Sequence, residues 1–117
     1  MATLRQSLVV LTGCGHAGAA NIVRHAMRLT GVDRLHGLIG GLHLSGPAVE
    51  PVIAPTVDAL TGLDPALIMP GHCSGWRAQH TLAAALPGAL ATTQLRHLRH
   101  ARRRVIPKWC TESSSRR

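Results

Sequence analysis

Three histidines, His16, His43 and His72, sit in settings that suit metal ligation. His16 belongs to the turn Gly13-Cys-Gly-His-Ala-Gly18, directly after an apolar run. His43 lies near the end of a second such run, and His72 follows a third, in Pro70-Gly-His-Cys-Ser-Gly75. Imidazole binds zinc, iron and other borderline ions, and neighbouring glycines permit the tight turns that present such ligands. Any one of these residues taken alone is more often a hydrogen-bonded turn or core histidine. The repetition of strand, turn and His is what favours a shared site. Cys14 and Cys73 each lie within two residues of one of these histidines. A metal-bound thiolate and a small buried apolar residue are both open for them. No Cys-x-x-Cys pair supports a zinc knuckle. Ser74 and Cys73 follow His72, but neighbouring side chains point apart and no Gly-x-Ser-x-Gly elbow exists, which disfavours a nucleophile. Gly13-x-Gly15-x-x-Gly18 fits the dinucleotide fingerprint, a runner-up reading. The acid expected about 20 residues further on is missing, and His43 and Leu44 stand at the end of the next strand instead. His25, His36 and His80 fall within predicted helices or at a strand start and read as structural.

The elements that must position these residues alternate. Ser7–Thr12 is a short, β-branched apolar run stopped by Gly13, the pattern of a buried strand. Ala19, Ile22, Val23, Ala26, Met27 and Leu29 recur at helical spacing, predicting a helix over 19–30 closed by Gly31. Leu35–Leu44 is a second strand-like run. Pro55 serves as the first residue of a helix to Leu60 or Thr61, which Gly62 closes. Ala66–Met69 is a third strand, and Trp76–Leu86 a third helix, ended by Pro87-Gly88. Strand–helix alternation predicts an α/β layered domain with parallel pairing. In open sheets of that kind ligands collect beyond the carboxyl ends of the strands, so the three turns would share one edge.

The charge is unevenly placed. The 117 residues carry 13 Lys+Arg against 5 Asp+Glu, a net of +8, which suggests a polyanion partner. Residues 1–91 contribute only +1, however, and residues 92–117 contribute +7. The expected division is therefore a nearly neutral domain over 1–91 and a disordered basic tail over 92–117. Two Trp with no Phe or Tyr disfavour recognition of nucleic acid by base stacking. No signal peptide or membrane-spanning run is recognisable, so the expected location is cytoplasmic, with reduced thiols and no membrane partner.

Val9-Val-Leu-Thr-Gly-Cys-Gly-His-Ala-Gly18, Leu38-Ile-Gly-Gly-Leu-His-Leu44 and Met69-Pro-Gly-His-Cys-Ser-Gly-Trp76 occur in an order and spacing that resemble a known family. They look like the C-terminal half of metallo-β-lactamase-fold proteins of the dihydropterin synthase-like branch. That branch comprises the 7,8-dihydropterin-6-methyl-4-(β-D-ribofuranosyl)-aminobenzene-5′-phosphate synthase-like proteins, and the resemblance covers about residues 7–90. It implies one half of a four-layer αββα sandwich with a metal centre at the sheet edge. His16 and His72 match histidines that bind metal, and His43 matches a motif histidine that is either a ligand or a substrate contact. The implied cofactor is divalent metal, zinc first with iron or manganese as alternatives. The implied chemistry is attack of metal-activated water on an ester, amide or phosphoester.

Two departures qualify these expectations. The His-x-His-x-Asp-His motif of the fold's other half is missing, so this chain would coordinate metal incompletely. Family members also finish with a short strand, where an Arg/His-rich tail is expected in this chain. An abrupt change near Ala91 is what a truncated or frameshifted reading frame would produce. The expected function is thus a hydrolase fragment, inactive alone, acting on a small molecule when completed by an N-terminal half, and prone to self-association. The alternatives are a noncatalytic subunit of a split enzyme, or a nonspecific binder of nucleic acid or an acidic surface through the tail.

Overall fold

The three apolar runs pair as one parallel sheet in the computed structural model, which describes residues 6–92. Strand β1 is Leu8–Thr12, β2 is Leu35–Gly40 and β3 is Leu67–Pro70, in the spatial order β1-β2-β3. Helix α1 (Ala19–Thr30) crosses from β1 to β2, helix α2 (Ile53–Gly62) from β2 to β3, and helix α3 (Trp76–Ala85) follows β3. The tail lies outside the described residues, as do the readings attached to it.

Strand register explains the layers. Val10, Leu38 and Ile68 are laterally paired. All three are buried in one cluster with Val23 of α1, Val57 and Leu60 of α2, and Ala78 and Leu82 of α3. Because residues of all three helices meet this one row of the sheet, the helices cover the same face. The alternate rows, Val9–Gly37–Leu67 and Leu11–Ile39–Met69, point the other way. On that second face Val9 is 40% exposed and Leu11 is 74% exposed. A sheet with helices on one side supplies two of the four layers of an αββα sandwich.

Local chemistry sets the boundaries. Helix α1 runs over the residues predicted, and the Gly31 N–H closes it by donating to the Met27 carbonyl. Helix α2 begins two residues before Pro55, preceded by a 3-10 turn at Glu50–Val52. Pro55 is tolerated inside its first turn because the N–H groups there have no helical partner to lose. The second strand is shorter than expected: it ends at Gly40, and residues 41–44 turn away although Leu42 and Leu44 stay buried. His43 therefore lies beyond the strand rather than near its end.

The expectation that the chain runs directly into its tail also needs correction. After α3 the backbone returns beside β3, forming a parallel bridge between Ile68 and Leu90. The Ile68 N–H donates to the Ala89 carbonyl at 2.8 Å, and the Ala91 N–H donates to the Ile68 carbonyl at 2.8 Å. The short strand-like return that closes the family pattern is present, just before residue 92.

Candidate metal centre

Parallel pairing puts the turns after β1, β2 and β3 side by side, and backbone hydrogen bonds lock them together. The Gly41 N–H donates to the Gly13 carbonyl (3.0 Å), the Gly71 N–H to the Gly40 carbonyl (2.7 Å) and the Leu44 N–H to the Cys73 carbonyl (2.9 Å). The Thr12 hydroxyl donates to the Gly41 carbonyl at 2.8 Å. Ser74, fully buried, accepts from the Leu42 N–H at 3.3 Å, so its role is structural. Gly41 has no room for a side chain. A Cβ there would stand 2.5 Å from the Gly13 carbonyl oxygen and 2.8 Å from Cys73 Sγ.

The residues brought closest are Cys14, His43 and Cys73, all half-buried, with ligand-type atoms within 4.8 Å of one another. Cys14 Sγ lies 3.3 Å from Cys73 Sγ and 3.8 Å from His43 Nδ1. The His43 N–H donates to Cys73 Sγ at 3.3 Å, and the Cys73 thiol donates to the Cys14 carbonyl at 3.3 Å. Among the described residues three non-glycines have positive φ, and two of them are His43 (52°) and Cys73 (37°). Such conformations cost on the order of 1–3 kcal/mol each and persist where the surroundings enforce them. Here the turn-to-turn bonds at Leu44 N and His43 N do so. The Cys14 thiol is held above its ordinary titration range, first by its hydrogen bond with Cys73, then by desolvation and by the neighbouring Cys73 charge. A thiol held against a second thiol, as Cys14 is, loses its proton reluctantly unless a cation compensates.

The three histidines are placed differently. The His16 ring packs on the His43 ring, centroids 4.3 Å apart and planes tilted 34°. His72 occupies the exposed part of the third turn, one residue before Cys73. His16 and His43 also line a cleft of about 370 Å3 between α1 and α2, with Arg24, Asn21, Leu42 and Thr56 on its walls. The sequence reading named all three histidines but left Cys14 and Cys73 undecided. The signal for the two cysteines was topological: each stands just past the carboxyl end of a strand, at positions that a parallel sheet brings together.

No family model matches the chain. Over 75 residues it is 31% identical to the 7,8-dihydropterin-6-methyl-4-(β-D-ribofuranosyl)-aminobenzene-5′-phosphate synthase of Methanocaldococcus jannaschii, a match covering 64% of this chain and 25% of that protein. An uncharacterised protein of the same organism is 34% identical over 70 residues, covering 60% and 25% respectively. The chain thus spans about a quarter of the length of these curated relatives. A solved metal-dependent hydrolase of the β-lactamase superfamily superposes with a TM-score of 0.61 at 30% identity, covering 72% of this chain and 32% of that structure. No helix among the described residues is long and apolar enough to cross a membrane. In fold the chain resembles part of a metal-dependent hydrolase of the β-lactamase superfamily, and in sequence part of the dihydropterin synthase.

Proposed function

We propose that this chain is part of a cytoplasmic metal-dependent hydrolase in which His16, His43 and His72 are metal ligands, and that it is inactive alone. The observation that carries this reading is the convergence of the three turns at the carboxyl edge of β1, β2 and β3. The donors there fit a cation: the His43 imidazole with two sulfurs close by, borderline-to-soft chemistry that favours zinc, with iron or manganese as alternatives. A bound ion would supply Lewis-acid polarisation of a scissile group and a more acidic water. The chain's own residues do the rest. His16 and His43 stack at the cleft wall and hold each other's orientation. Arg24 gives that wall a permanent positive charge, suited to a phosphate or carboxylate on a small substrate. The His-x-His-x-Asp-His ligands would come from an N-terminal half.

Elemental analysis of the purified chain, paired with hydrolysis of a chromogenic phosphodiester, tests this. Expected are fewer than two ions per chain, no turnover alone, and turnover once a polypeptide bearing the missing motif is added. His16→Ala and His72→Ala should each weaken metal retention at the histidine edge by more than about tenfold, since even outer-shell partners of a ligand are worth about 10–100-fold. Turnover by the isolated chain with two tightly held ions would overturn the inactivity, and unchanged retention in both variants would overturn the ligand assignment.

The split-enzyme reading, in which this chain is a noncatalytic subunit, is favoured by the exposed Val9 and Leu11 on the sheet face away from the helices. Apolar surface on an open sheet drives association with a second sheet or a second copy. Val9→Lys/Leu11→Lys should convert a self-associating chain to a monomer in light scattering. Its unfolding free energy should change by no more than about 0.5 kcal/mol, as for other surface substitutions. A wild-type chain already monomeric at high concentration would count against self-association through this face.

A further inference from the structure

We propose that Cys14, His43 and Cys73 form a thiolate-rich site for one thiophilic divalent cation, with zinc as the natural occupant, and that this chain alone suffices to load it. The inference does not rest on the hydrolase reading; it would stand if His16 and His72 bound nothing.

The geometry is close to that of a coordination shell. A tetrahedral zinc with Zn–S near 2.3 Å and Zn–N near 2.0–2.1 Å sets sulfurs about 3.8 Å apart and sulfur and nitrogen about 3.5 Å apart. The distances found are 3.3 Å for Cys14 Sγ to Cys73 Sγ and 3.8 Å for Cys14 Sγ to His43 Nδ1. Widening the separation of the two sulfurs by about 0.5 Å would meet that geometry. The backbone is already committed: His43 and Cys73 hold positive φ, and the His43 N–H points at Cys73 Sγ, where it would stabilise a thiolate. Because the contact to Cys14 uses Nδ1, the Nε2 of His43 stays available to the histidine edge. Half-burial of all three residues leaves a fourth coordination position open to solvent. Two sulfurs and one imidazole select zinc-class ions over magnesium or calcium, which prefer oxygen. On loading, each thiol gives up its proton to solvent and each sulfur donates an electron pair to the cation, so no oxidant or reductant is needed.

The test uses the full chain with Cys110→Ser, so that the thiol outside the described residues contributes nothing, under a non-thiol reductant. Titration with Co2+ should give a near-ultraviolet thiolate-to-cobalt charge-transfer band that saturates at one ion per chain and is abolished by Zn2+. Cys14→Ser and Cys73→Ser should each remove most of the band and weaken zinc binding by more than about tenfold. His16→Ala and His72→Ala should keep the band, which separates this site from the histidine edge. Cadmium NMR of the chain without site substitutions provides a readout independent of whether a variant folds, because the shift reports the number of bound sulfurs. Cobalt spectra without thiolate charge transfer, or a cadmium shift characteristic of nitrogen and oxygen ligands only, would overturn the proposal.

Discussion

Gly40→Ala is expected to remove a large share of the chain's folding stability. Gly40 ends β2 at φ 123°, opposite Thr12 in the register of β1. A Cβ there would overlap the Thr12 carbonyl oxygen and approach Thr12 Oγ1 at 2.7 Å. The carbonyl belongs to a paired backbone and has no flexible end that could swing aside. Backbone strain and overpacking together cost roughly 2–6 kcal/mol. A domain of this size has a total stability on the order of 5–10 kcal/mol. The control is Gly62→Ala at the end of α2, where a Cβ meets nothing within 4 Å. That variant should be neutral or slightly stabilising, since Ala forms helix better than Gly. Urea melts followed by circular dichroism would separate the two. A Gly40→Ala midpoint equal to that of the native chain would show that the β1–β2 contact is looser than described.

The second large effect is expected at Leu38. It is fully buried in the central strand, paired laterally with Val10 and Ile68, beneath all three helices. Truncation to Ala leaves a cavity that rigid neighbours on both sides are poorly placed to fill, costing about 2–5 kcal/mol. For a folded unit of under 100 residues this lowers the melting temperature by roughly 8–40 °C. Leu11→Ala offers the comparison, because Leu11 has the same side chain on a strand but is 74% exposed on the opposite face. Its loss should shift melting by no more than a few degrees, about 0.5 kcal/mol. Equal destabilisation by the two substitutions would mean that the second face is covered in solution.

How much of this was legible in the sequence depended on punctuation. Helix α1 fell on the predicted residues because its apolar spacing is bounded by Gly18 and Gly31. The second strand was over-extended because Leu42 and Leu44 continue an apolar pattern that a buried loop shares with a strand. Gly40-Gly41 held the correct boundary, since the first has a φ of 123° and the second has no space for a Cβ. The start of α2 was missed because Pro55 marks a first turn without saying which of its positions it fills. Strand order brings His16, His43 and His72 to one edge and Cys14 and Cys73 with them, but which of these side chains touch depends on turn conformations that spacing does not encode. The positive φ of His43 and Cys73 is a tertiary effect, enforced by bonds from one turn to another.

The 59-residue separation of Cys14 and Cys73 has a consequence for the energetics of the whole fold. Any bridge between the two sulfurs, ionic or covalent, closes a loop that contains α1, β2, α2 and β3. In the chain-entropy description, a covalent closure of that length removes roughly 4 kcal/mol of freedom from the unfolded chain. That is comparable to the loss expected from emptying a core position. Occupancy at this one contact would therefore act as a clasp on the entire sheet, and withdrawing the occupant with a chelator would be felt as far away as α2.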